Sequence, residues 1–225
     1  MLNLNLMRRD EDGARLPATV WRPGRALRTI SSATLGGGLG TAEWVVNAQV
    51  PTAYARTDPA EHLRELAALF GLAGPGVGML TAAAVDRTFH GADGGVGAAA
   101  TVGLRVPTWA AAPAGTADPE LAPLRPGTVN ILVSVPVPLT DAALVNAVMT
   151  VTEAKTQALL EAGYACTGTA SDAVCVAAPL PGDHAEPFAG PRSPWGARIA
   201  RAVHTAVRAG AEDYTAYLRV RRSSG

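Results

Sequence analysis

No apolar run in this chain is long enough to be more than one strand or one face of a helix. The longest, Val129 to Leu139, is interrupted by Ser134, Pro136 and Pro138, far short of the roughly 20 residues that span a bilayer. Each short run must bury itself against another, so the chain has to assemble a layered core from many small elements. It has the material: 48% of its 225 residues are hydrophobic and 17% charged, outside the range of disordered chains. The length suits a single domain spanning 1–225, by the usual size of roughly 100–200 residues.

The runs alternate in kind. Residues 18–21 and 26–31 read as strands, followed by a glycine-rich turn at Gly36 to Gly40 and a third strand over Glu43 to Val50. Asp58-Pro59-Ala60-Glu61 supplies an N-cap, a first-turn proline and a capping-box acid. Leu63, Leu66, Ala67 and Phe70 then follow at helical spacing up to Gly71. Gly76 to Ala84 and Val96 to Arg105 read as strands rich in small residues, and 106–127, with its five prolines among alanines, as a long surface loop. Thr128 to Val135 is the strongest strand; it precedes a helix from Asp141 to Ala162 closed by Gly163 and a short strand at Ala173 to Ala177. Ser193-Pro194 starts a last helix that carries Trp195, Ile199, Val203 and Val207 and is expected to end at Gly210. The pattern predicts an α+β fold: a mixed sheet, or two stacked sheets, with three main helices packed on it.

Charge narrows the function. Nineteen Lys and Arg balance 19 Asp and Glu, which leaves no basic surplus for nucleic acid or an anionic membrane. The N-terminus lacks the charged, apolar and small-residue order of a signal peptide, so a cytoplasmic location is expected. Cys166 and Cys175 read as reduced thiols, since two cysteines without a C-x-x-C build neither a disulfide framework nor a zinc site. Lys155 is the one lysine in the chain, every other basic residue being arginine. Where arginine serves for surface charge, a surviving lysine points to something a guanidinium cannot do, such as losing its proton.

Three groupings of residues can carry chemistry. At 100° per residue, Asn146, Thr150, Glu153 and Gln157 fall within about 60° on the second helix, a neutral hydrogen-bonding stripe around one carboxylate. Opposite them, Leu144, Val148, Val151 and Leu159 form an apolar face with Lys155 at its centre, where a lysine either snorkels to water or sits desolvated as a base, nucleophile or donor. The turn Thr167-Gly168-Thr169-Ala170-Ser171-Asp172 offers hydroxyls and a carboxylate, although such residues also bond their own backbone in ordinary turns. Asn47, Thr81 and Asn130 are polar residues set in apolar runs; buried, each needs a partner, and a ligand is one. The stripe and the turn are expected to wall one cavity.

Other familiar sites are missing. His184-Ala185-Glu186 begins a zinc-deaminase pattern that no P-C-x-x-C completes. Gly36 to Gly40 lacks a P-loop lysine and dinucleotide spacing. The four histidines have no metal-ligand spacing, so no metal site is expected; His204, on the last helix, is within range of a site.

Glu43-Trp44-Val45-Val46-Asn47, Val77 to Ala83, Gly127 to Ile131, Ala143 to Thr150, Thr152 to Leu159, Gly168 to Val174 and Glu186 to Pro191 resemble the adenosylcobinamide amidohydrolase family. The resemblance runs from about Ser31 to Gly210; the first 25 residues and 106–127 match little. It implies hydrolysis of the aminopropanol amide of adenosylcobinamide to adenosylcobyric acid, a step of corrinoid salvage for vitamin B12. The corrinoid is then the substrate and no further cofactor is implied; D-x-H-x-x-G, by which many corrinoid proteins supply a lower cobalt ligand, is absent.

Amide hydrolysis needs an activated nucleophile, oxyanion donors and an acid for the leaving amine. On chemistry alone, Asp172 or Glu153 is the general base, Lys155 or Asn47 a donor to the oxyanion or leaving group, and Thr169 or Ser171 substrate-binding or nucleophilic. Asn47, Thr81, Asn130, Asn146, Thr150 and Gln157 are the candidate substrate-binding residues. A non-hydrolytic corrinoid-binding module and a Ser/Thr-dependent amidase or acyltransferase for another amide are the alternatives. The expected partner is the small-molecule corrinoid, with a homo-oligomer left open.

Overall fold

The structure, a computed structural model, describes residues 2–116, 127–182 and 184–223, with side chains up to residue 220. The described residues form ten strands in two sheets. The chain opens with a hairpin, β1 (Leu4–Glu11) and β2 (Ala14–Trp21), whose two-residue turn is Asp12-Gly13 with φ of 51° and 74°. Asp-Gly is the strongest short hairpin signal a sequence offers, and the hairpin extends the strand expected at 18–21 back to Ala14 and adds β1, for which no strand was expected. β3 (Leu27–Ser31), β4 (Gly38–Ala42), β5 (Trp44–Gln49), β6 (Gly76–Thr81), β7 (Phe89–Asp93), β8 (Val96–Val102), β9 (Val129–Ser134) and β10 (Ala173–Pro179) follow. Three of the five residues of the expected glycine turn are therefore strand, because β4 pairs antiparallel with β3 from Gly38 onward.

The first sheet has the order β1-β2-β5-β6 and the second β4-β3-β10-β9-β8-β7. Both are mixed. Parallel pairs β5/β6 and β9/β10 are each joined through a helix, α1 (Pro59–Leu69) and α2 (Asp141–Glu161), as a parallel crossover requires. The sheets stack face to face over Trp21, Val45, Met79, Leu132 and Cys175. α1, with Leu63 and Leu66, and Phe70 at its C-cap cover the outer face of the first sheet. α2 and α3 (Pro194–Ser223) cover the outer face of the second. The result is four layers, helix, sheet, sheet and helices, in agreement with the α+β expectation of stacked sheets and three helices. No helix among the described residues is long and apolar enough to cross a membrane.

Two helix details depart from the sequence reading. Asp58 stands at the N-cap of α1 but makes no side-chain cap bond; Arg56 takes both its carboxylate oxygens instead. The last helix does not end at Gly210. There α3 crosses β8 so closely that a Cβ would lie 2.5 Å from Val102 Cγ2, so the glycine admits a neighbour and the helix continues to Ser223. Of the loop at 106–127, residues 117–126 lie outside the described residues. Its start is tied down, since Thr108 N–H donates to the Gly168 carbonyl at 2.8 Å.

β5, β6 and β8 end, and β9 and β10 begin, at one edge of the sandwich: Gln49 pairs with Thr81, Val102 with Val129, and Asn130 with Ala173. That edge collects the candidate residues from the strands and from the turn before β10.

Candidate active site

Thr140 caps α2, accepting from Ala143 N–H at 3.1 Å, and the helix descends toward this edge. Its buried arc runs from alanines packed in the main core to Leu144, Val151, Lys155 and Leu159, so the lysine is committed to the interior by helical phase alone. Lys155 Nζ donates to Asp172 Oδ2 at 2.5 Å, with 9% of each side chain exposed. Of the two readings of this lysine, snorkelling gives way to a nearly buried ion pair.

Asp172 is held from four sides. Oδ2 accepts from Lys155 Nζ and from Thr169 N–H at 3.2 Å; Oδ1 accepts from Val129 N–H at 2.8 Å and from Thr169 Oγ1 at 2.5 Å. A carboxylate has about four lone-pair positions, and these bonds fill them. Gly168, at φ 151°, is required by the same crowding, because a Cβ there would overlap Asp172 Oδ2 and lie 2.5 Å from Lys155 Nζ. The turn is therefore built around the ion pair rather than around its own backbone.

Hydroxyls ring this pair. Ser171 is exposed; its Oγ lies 3.1 Å from Thr128 Oγ1 and donates to the Gly127 carbonyl at 3.3 Å. Thr156 Oγ1 donates to the Thr167 carbonyl, and Thr167 Oγ1 to that of Thr108. The Cys166 thiol beside them is pushed up by burial and by the charge of Asp172, and burial pushes Cys175 up to about 12. Neither supplies a thiolate nucleophile near neutral pH. Among the described residues no group of three or more His, Cys, Asp or Glu stands ready to hold a metal ion.

Asn47, Thr81 and Asn130 have gone elsewhere. Asn130 Nδ2 donates to Asn47 Oδ1 at 2.8 Å and to the Leu80 carbonyl, and Asn47 Nδ2 donates to Thr101 Oγ1 at 3.1 Å. These bonds stitch one sheet to the other across a crevice of about 10 Å³, the size of a single water. Asn130 Oδ1 is buried there without a partner among the described residues. Thr81 Oγ1 accepts from Ala83 N–H.

The stripe on α2 is divided. Thr150 is buried and donates to the Ala189 carbonyl at 2.9 Å, while Asn146 is half-buried. Glu153 and Gln157 are exposed, Gln157 donating to Glu161 Oε1. They line a shallow hollow of about 550 Å³ with Thr152, Thr156, Leu160 and Glu161. Glu153 stands two residues, about 200° of helix, from Lys155, so stripe and turn do not wall one cavity and that expectation is corrected. His204 is also turned away, its Nε2 lying 2.8 Å from Glu161 Oε2.

A further hollow, of about 310 Å³, opens at the same edge between Gln49, Arg87, Gly103, Arg105, Asp213, Tyr214 and Tyr217. Nothing in the sequence signals it, since its polar residues come from four separate segments.

The family model described as adenosylcobinamide amidohydrolase matches residues 3–218. A protein of that name from Methanosarcina mazei is 33% identical over 189 residues, 80% of this chain and 88% of that one. Another of the same name from Halobacterium salinarum is 40% identical over 133 residues, 58% of this chain and 56% of that one. Among solved structures, a Pyrococcus horikoshii OT3 protein aligns with a TM-score of 0.46 at 14% identity, over 93% of this chain and 83% of that one. The family match starts at residue 3, so the N-terminal hairpin, outside the resemblance traced from Ser31 to Gly210, belongs to it.

Proposed function

The chain belongs to the adenosylcobinamide amidohydrolase family, and on that premise we propose that it hydrolyses the aminopropanol amide of adenosylcobinamide at the Lys155, Asp172 and Thr169 cluster. The observation that carries this reading is the Lys155–Asp172 pair, nearly buried yet bordered by Ser171, an exposed residue. Water oxygen bonds to the amide carbon, the C–N bond breaks, and the proton ends on the departing amine. Adenosylcobyric acid and aminopropanol result.

Each group has a part suited to its surroundings. Lys155 spends one of its three N–H donors on Asp172 and, among the described residues, has no second acceptor. Its remaining donors serve the carbonyl oxygen as negative charge builds there, the type of contact that contributes most to acyl transfer. Asp172 has no open lone pair for a water, so a proton reaches it through Thr169: the hydroxyl accepts from the attacking water while donating its own proton to Oδ1. Ser171, exposed next to this pair, binds the amide arm of the substrate. Glu153 and Asn47 drop out as base and donor, one facing solvent on the far side of α2 and the other spent between the sheets.

The corrinoid enters as substrate, bound by its amides and apolar rim, and the cytoplasm expected from the sequence is the setting. Incubation of the purified protein with adenosylcobinamide, with free aminopropanol quantified, is the test. Release by the wild type and its loss in Asp172→Asn support the reading; tight binding of the corrinoid without release favours the non-hydrolytic module. A mass-trapped acyl group on Thr169 would replace the relayed water by direct attack of the hydroxyl.

A further inference from the structure

Resting on that hydrolase reading, we propose that the hollow lined by Gln49, Arg87, Arg105, Asp213, Tyr214 and Tyr217 is a nucleoside subsite that holds the upper adenosyl group of the corrinoid. Its volume, about 310 Å³, lies at the small end of ligand pockets, about 300–1,000 Å³. That suits a flat heterocycle with its sugar and excludes a corrin macrocycle.

The lining has the chemistry of an uncharged aromatic ligand with hydroxyls. Tyr214 and Tyr217 lie three residues apart on α3, their rings 6.3 Å apart and tilted by 39°. Arg87 stacks over Tyr217 at 5.3 Å and pairs with Asp213 Oδ2 at 2.5 Å, so its charge is already answered and a phosphate gains little from it. Ala82, Ala83, Val102 and Gly103 make an apolar floor, over which Arg105 offers a guanidinium plane for stacking. Gln49 Oε1 accepts from Val85 N–H at 3.0 Å, which leaves its amide N–H groups for a ring nitrogen or a sugar hydroxyl.

The hollow is also at a useful distance. Gly103 N–H donates to the Thr128 carbonyl, and Val129 N–H to Asp172 Oδ1. The floor and the catalytic carboxylate therefore lie on strands two places apart, about 10 Å. A ligand reaching both carries its amide and its heterocycle on separate parts of one stiff body. A corrin ring, with a nucleoside above the cobalt and amide arms at its rim, is such a body.

The experiment uses 5′-deoxyadenosine and two corrinoids, adenosylcobinamide and cobinamide with cyanide as the upper ligand. The nucleoside is expected to bind the full chain and to raise KM for adenosylcobinamide without changing kcat. Arg105→Ala, at an exposed position, and Tyr214→Leu should each weaken that binding about tenfold, the scale of a lost stacking contact. Both should also narrow the wild type's preference for the adenosyl form, with thermal melts confirming the fold. Equal kcat/KM for the two corrinoids and no competition by the nucleoside would overturn the subsite and leave the hydrolase reading standing. Nucleoside binding that falls in Arg105→Ala, with no aminopropanol released from either corrinoid, would uphold the subsite and remove the hydrolase reading.

Discussion

Two buried polar groups meet the same edge of the sandwich, and they differ in what they have left to offer. Asn47, Asn130 and Thr101, all under 9% exposed, bond to one another and to the Leu80 carbonyl across the gap between the sheets. Their crevice admits one water. Lys155 and Asp172 are almost as buried, with Thr169 partly so, but they border an exposed serine, and among the described residues the lysine keeps donors to spare. Burial with self-satisfaction makes a clamp between layers; burial with unspent donors at a surface makes a place for chemistry.

If that division is right, substitutions in the two groups should separate activity from stability. The largest effect is expected for Asp172→Asn, which removes the charge that holds Lys155 and the acceptor for the Thr169 proton. Aminopropanol release should fall by about 10³-fold, the upper range for loss of a preorganised group. Asp172→Ala should in addition cost about 3–5 kcal/mol in denaturant titration, because it strands a nearly buried ammonium. Lys155→Arg keeps the charge, but its planar fork cannot occupy the space that Gly168 leaves for a single ammonium. A fall in kcat of about 100-fold is expected, together with a lowered melting temperature because the larger head overpacks a nearly buried site; normal turnover would dismiss the lysine's special role.

The clamp should respond in the opposite way. Asn130→Ala leaves Asn47 Oδ1 and the Leu80 carbonyl without their donor, at a cost of about 1–3 kcal/mol, yet the folded protein should keep kcat within a few-fold. An equally severe loss of turnover would place Asn130 among the substrate contacts. Smallest of all, Glu153→Gln on the outer face of α2 should leave both stability and turnover within about twofold, as exposed positions without partners do. A hundredfold loss there would return the catalytic base to the helix stripe.

Much of this was legible in the residues. The core strand at Thr128 to Val135, the helix after it, and Lys155 at the centre of an apolar face follow from periodicity, and helical phase alone turns Lys155 inward. Its partner did not follow, because contact between α2 and the turn before β10 depends on Gly168 giving up its side chain. The stripe misled for a related reason. A helical wheel treats α2 as having one buried face, whereas its alanine side also packs in the core, which draws Thr150 in and leaves Glu153 and Gln157 outside. The first hairpin was overlooked although Asp12-Gly13 announces it, because β1 alternates too weakly to show a buried face. Gly210 read as a stop because a glycine that admits a neighbouring strand looks the same in sequence as one that ends a helix.

A structure of Asp172→Asn with adenosylcobinamide bound bears most directly on where the amide is cut. The expected result is a scissile carbonyl oxygen within hydrogen-bond reach of Lys155 Nζ, about 2.6–3.2 Å, with Ser171 on the amide arm. An amide lying instead along the outer face of α2 by Glu153 and Gln157, or more than one water's length from Lys155, would contradict it.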